Sequence, residues 1–109
     1  MTMNINATTG IIRLDRVVAE YDAWLDASLF PVPKMRVKVI QRRNDFAAFT
    51  NLRRCDRVTG QPDGTAGLGD TPDEALTDLL TRFVAEAREA LPPDGFVESD
   101  FVWSAPEDF

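Results

Sequence analysis

The chain contains no histidine among its 109 residues. That removes the commonest general base, the Ser-His-Asp and Cys-His nucleophile pairs, and every histidine-containing zinc site. Cys55 is the single cysteine, too few for a thiolate zinc site or an intramolecular disulfide. Arg54 and Arg57 flank it and would favour thiolate reactivity, yet a lone cysteine after a strand reads as a passive small residue. Gly60, Gly64, Gly67 and Gly69 lack the Lys-Ser/Thr pair that completes a phosphate loop, and Asp63 and Asp70 put negative charge where phosphate would sit. Turn chemistry accounts for them. Glu98 and Asp100 share one face of an expected strand, a spacing that suits an acid/base pair or a hard cation. Without further ligands at fixed spacing they read as solvated carboxylates. No catalytic, cofactor-binding or metal-ligating set emerges, and the expectation is a non-catalytic protein without cofactor.

Charge offers more. Residues 1–33 carry −2, residues 34–58 carry +6 and residues 59–109 carry −10, within a total of −6. Such segregation speaks to long-range fields and association. Acidic and aromatic residues mix toward the end of the chain: Asp94, Phe96, Glu98, Asp100, Glu107, Asp108 and Phe109. Interfaces favour aromatic anchors inside a polar rim, so this group is the candidate partner-binding surface, and its sign calls for a basic protein partner. Small acidic inhibitors of nucleic-acid enzymes from phages and mobile elements share this size and charge. The alternative is nucleic-acid binding through the basic hairpin 34–58, with Arg36, Lys38, Arg42, Arg43, Arg53 and Arg54 on phosphates. Homotypic neutralisation, the basic hairpin of one copy meeting the acidic half of another in a homodimer, would silence both.

These side chains need elements to carry them. From Ile11 to Leu29 the apolar positions Leu14, Val17, Val18, Tyr21, Trp24, Leu25 and Leu29 recur every three or four residues, the spacing of an amphipathic helix ended by Pro31 and Pro33. Residues 35–42 alternate as a strand, and Asn44-Asp45 turns into a second strand from Phe46 to Leu52. Residues 59–69 form a glycine-rich loop with room for a short strand at 65–68. Thr71-Pro72-Asp73-Glu74 is a capping box with proline at the first helical position. The helix that it starts buries Leu76, Leu79, Leu80, Phe83, Val84, Ala87 and Leu91, pairs Asp78 with Arg82, and ends at Pro92-Pro93. Residues 96–103 alternate as a last strand, and residues 104–109 form an acidic tail.

The turn and helix start Gly67-Leu68-Gly69-Asp70-Thr71-Pro72-Asp73-Glu74-Ala75-Leu76, together with the strands on either side, resemble the HicB-like, partial ribonuclease-H-like fold over residues 35–103. That resemblance implies three strands leading through a glycine-threonine turn into a capped helix and a further strand, and an antitoxin-like role; the C-terminal DNA-binding segment usual in HicB antitoxins has no counterpart here. The order helix, three strands, helix also resembles a double-stranded-RNA-binding domain. Where such a domain clamps phosphate, this chain places Asp70, Asp73 and Glu74, which repel it.

The expected fold class is α+β: a single antiparallel sheet of three to four strands with two helices packed on one face, in the order α-β-β-β-α-β. The length suits a single domain over 1–109, with residues 1–10 flexible. The longest apolar run, Phe46 to Phe49, is far below the roughly 20 residues of a membrane span. No secretory signal pattern opens the chain, and a cytoplasmic location is expected with no membrane partner.

Overall fold

The computed structural model describes residues 10–109. The expected flexibility of residues 1–10 falls, apart from Gly10, outside them. Seven strands and one long helix follow in the order β1 (Arg16–Trp24), β2 (Lys34–Gln41), β3 (Phe46–Thr50), β4 (Leu52–Cys55), β5 (Pro62–Asp63), β6 (Ala66–Gly69), α1 (Pro72–Glu89) and β7 (Phe101–Trp103). The strands form two antiparallel sheets, one ordered β1-β2-β3-β6 and one ordered β5-β4-β7. The single sheet with two helices is therefore incorrect. The fold is a mostly-strand α+β arrangement with one α-helix among the described residues.

The missing helix is β1. Its register sets Glu20 opposite Lys38, Asp22 opposite Arg36 and Trp24 opposite Lys34, while Ala19, Tyr21 and Ala23 oppose Val39, Val37 and Met35. A bulge between Val17 and Ala19 shifts the phase of the alternation. With Val17 and Trp24 on the outer face and Tyr21 on the helix-side face, the apolar positions fall three and four apart, which imitates a helix. Two β-branched and two aromatic residues suit the pleat, and Asp22 adds cross-strand charge pairing with Lys34 at 3.7 Å and Arg36 at 3.9 Å.

β2 and β3 form the expected hairpin. Val37 and Val39 of β2 and Ala48 of β3 point to the helix side and are fully buried. The chain leaves this sheet at Asn51, whose side chain accepts the Arg36 N–H at 2.9 Å while its own N–H donates to the Arg36 carbonyl at 3.1 Å. β4 then builds the second sheet with β7, Leu52 facing Trp103. Residues 96–103 are not one strand. Glu98–Asp100 is a 3₁₀ turn, closed because Asp100 donates its N–H to the Val97 carbonyl at 2.9 Å and accepts the Val97 N–H on its carboxylate at 2.8 Å.

α1 starts where the capping motif places it, with Thr71 Oγ1 accepting the Glu74 N–H at 3.1 Å. It buries Ala75, Leu79, Phe83 and Ala87 against the larger sheet. Leu76, Leu80 and Val84 are half-buried along its flank, and Leu91, past the helix end, is exposed. The helix lies so close to β6 that a Cβ on Gly67 would overlap the backbone of Ala75 and Leu79, and one on Gly69 the backbone of Ala75. These glycines serve packing. Phe30 joins the ends of the core, its ring centroid 5.5 Å from that of Phe83 and 6.0 Å from that of Phe101. Among the described residues no helix is long and apolar enough to cross a membrane.

Candidate protein-docking surface

The basic segment 34–58 meets acids of its own chain. Asp22 lies 3.7 Å from Lys34 and 3.9 Å from Arg36, Asp45 2.8 Å from Arg42, and Asp63 3.7 Å from Arg54. Arg57 clamps Asp100 through Nε at 2.7 Å and Nη2 at 2.8 Å, with Asp94 at 3.8 Å. Among the described residues five of the segment's eight bases are thus ion-paired. Lys38 sits on the face of β2 away from α1, donates to the main-chain oxygen of Phe109, and has its ammonium 4.7 Å from the centre of that residue's ring. Arg43 and Arg53 have no ion-pair partner among the described residues. Arg53 lines a groove of about 590 Å³ on the outer sheet face together with Arg13, Lys38, Thr65, Asp108 and Phe109.

The seven acidic and aromatic residues divide between two places. Beyond the end of α1, Asp94 and Asp100 bind Arg57, Phe96 lines the same pocket, and Glu98 lies in the turn that ends at Asp100. Glu107 and Asp108 lie in a 3₁₀ turn, Pro106–Asp108, and Asp108 and the following Phe109 reach the outer face of the larger sheet beside Lys38. Asp94, Glu98, Glu107 and Asp108 are exposed. Phe96 is half-buried with its ring 5.2 Å from that of Phe101.

Asp100 is only 5% exposed and turned inward, so the strand-face pair expected of Glu98 and Asp100 does not form. The hydrogen bonds from Arg57 hold its carboxyl at about 2, against an ordinary value of 3.8, with help from the Val97 N–H and against the cost of burial. The same bonds raise the Arg57 guanidinium above its ordinary range. This is a structural clamp that joins the loop after β4 to the turn before β7.

The remaining features identified in the sequence are ordinary parts of the fold. Cys55 ends β4 opposite Pro62. Asp56 accepts the Val58 and Thr59 N–H groups at 2.7 and 3.1 Å, which lowers its carboxyl below the ordinary range, and Gly60 supplies the positive φ of 75° in that turn.

The helix adds further acids. Asp73, Glu74, Glu86 and Glu89 are exposed along α1, with Asp70 just before it. Asp78 binds Arg82 at 3.1 Å and accepts the Leu68 N–H at 2.9 Å, both of which pull its carboxyl below the usual range. Comparison of the chain with protein-family models, curated proteins and solved structures finds no match.

Proposed function

We propose that this protein is a non-catalytic binding module that docks on a basic protein, in the manner of an inhibitor or antitoxin of a nucleic-acid-handling enzyme of the phage or mobile-element kind. One observation carries the reading: five of the eight bases in 34–58 are neutralised by the chain's own acids, while Glu98, Glu107, Asp108 and, on α1, Asp73, Glu74, Glu86 and Glu89 are exposed with no ion pair among the described residues, beside an exposed Asp94. The field presented to a partner is then negative, which speeds and orients encounter with a positive surface. The resemblance to HicB-like domains supports the same role. Nucleic-acid binding through Arg36, Lys38, Arg42, Arg43, Arg53 and Arg54 is the weaker alternative, because Arg36, Arg42 and Arg54 are ion-paired and Lys38 is covered.

The test compares the wild-type protein with Asp94→Lys/Glu98→Lys/Glu107→Lys/Asp108→Lys as immobilised bait. Asp100 stays unchanged because its reversal would break the clamp. Basic proteins retained by the wild type at low salt, released at high salt and absent from the variant are the expected result. Equal retention by both baits would overturn the reading.

A further inference from the structure

β4 opens with Leu52 buried in the core, so the alternation of the strand turns Arg53 to the opposite side, where its backbone pairs with Val102 of β7. The stem of this arginine packs on Gly64, where a Cβ would come within 3.5 Å of Arg53 Cδ. Its Nε is closed off from water and has no hydrogen-bond partner. The two terminal nitrogens are likewise unbonded among the described residues, but they are open to solvent. Native proteins match nearly every buried polar atom, so an orphan on a half-buried guanidinium points to a partner from outside the chain.

The groove of about 590 Å³ that Arg53 lines defines the chemistry of that partner. Val39, Ala48 and Gly67 form a cross-strand row buried beneath α1, so the adjacent row Lys38, Phe49 and Ala66 stands on the outer face. Phe49 and Ala66, with Ile40, give the groove an apolar floor. Its other charges are engaged or repel an anion. Arg13 pairs with Asp15 at 3.1 Å, Lys38 holds the main-chain oxygen and ring of Phe109, and Asp108 is exposed on the rim. One cation, Arg53, is left without a counter-charge, while the carboxylates of Asp15 and Asp108 oppose a ligand carrying several negative charges. Phe109 on Lys38 already displays the matching chemistry, an oxygen acceptor and a ring brought to a cation of this groove.

We propose that the groove binds a small organic monoanion, a carboxylate on an aromatic body, with the carboxylate on Arg53 and the ring over Phe49 and Ala66. A guanidinium holds a carboxylate through two parallel N–H donors, and its fixed stem leaves little to order on binding. The groove is within the size range of small-molecule sites. The site lies on the sheet face away from α1 and does not rest on docking of a basic protein.

The test is a heteronuclear NMR titration of the ¹⁵N-labelled full chain with 3-phenylpropionate at constant ionic strength. Saturable shifts are expected at the amides of Phe49, Arg53 and Ala66. Arg53→Gln is expected to weaken binding by about tenfold, the worth of a charge-assisted bond. Arg43→Gln, which removes the other base of 34–58 without an ion pair, is expected to leave affinity unchanged. The uncharged 3-phenylpropionamide is expected to bind the wild type about tenfold more weakly than the acid, a comparison that stands even if the Arg53 variant fails to fold. Absence of saturable shifts, shifts confined to residues outside the groove, equal affinity for acid and amide, or undiminished affinity in a folded Arg53→Gln would each overturn the proposal. Tighter binding of pyrophosphate than of the carboxylate would overturn its restriction to one negative charge.

Discussion

Asp100 ties more of the chain together than its place among acidic neighbours suggests. One carboxylate receives two bonds from Arg57 and one from Val97, and it is almost wholly removed from water. Replacing it by asparagine keeps the shape, discards the charge and leaves the half-exposed Arg57 with only the looser Asp94 at 3.8 Å. The expected loss is about 2 kcal/mol at neutral pH, since hydrogen bonds to charged groups are stronger than neutral ones but the guanidinium can still reach water. The pH dependence follows from the direction of the shift. A carboxyl whose folded value is depressed adds stability that is full above its unfolded value near 3.8 and is lost as pH falls through about 2. Thermal melts of wild type and Asp100→Asn should differ most at neutral pH and converge in strong acid. A constant difference across that range would show that the charge contributes nothing. Its neighbour Glu98, exposed and two residues away, is expected to tolerate the corresponding change.

The junction of β6 and α1 shows how a sequence motif can be right about position and silent about cause. Thr71 begins the helix as the capping pattern requires, because hydroxyl, proline and glutamate act locally. Gly67 and Gly69 look like turn residues in the sequence, yet their role is contact: a methyl group on Gly67 would enter the space of Leu79 and Ala75 backbone atoms, which cannot move without shifting the helix. Gly67→Ala is expected to cost about 3 kcal/mol, as for overpacking of a filled core. Gly64→Ala serves as control, since its Cβ would meet only the flexible Arg53 side chain at 3.5 Å, and its effect should stay within about 0.5 kcal/mol. Urea unfolding midpoints of the two variants settle the comparison, and equal midpoints would remove the packing argument. The same contrast explains what could be read from the chain and what could not. The β2-β3 hairpin and α1 were legible because turn residues, alternation and capping are local. β1 was not, because its apolar residues lie on both faces, a bulge at Val17–Ala19 breaks the alternation, and the bases that meet Asp22, Lys34 and Arg36, lie across the pair. The turn at Glu98–Asp100 was hidden for a related reason: the inward burial of the Asp100 carboxylate is matched by Arg57, 43 residues away in sequence.

At the scale of the whole molecule the question is whether the +6 of residues 34–58 is available to anything outside the chain. In the sequence that segment and the acidic half are separate blocks. In the folded protein Asp22, Asp63, Asp94 and Asp100 come from outside the segment to Lys34, Arg36, Arg54 and Arg57, and the tail lies on Lys38. Exposed ion pairs are individually weak and a strong phosphate lattice could compete for them, so the matter is one of count. A protein that contacts Z phosphates loses affinity with salt at a logarithmic slope of about −0.9Z. Engagement of Arg36, Lys38, Arg42, Arg43, Arg53 and Arg54 together would give a slope of about −5, whereas Arg43 and Arg53 alone would give about −2. Two contacts set against a total charge of −6 are too few to hold a duplex. Anisotropy of labelled mixed-sequence DNA and RNA, titrated with the protein at low and moderate salt, is therefore expected to show no saturable binding. A saturable curve with a slope near −5 would mean that phosphates displace the internal acids, and the basic hairpin rather than the acidic surface would then be the working face of the molecule.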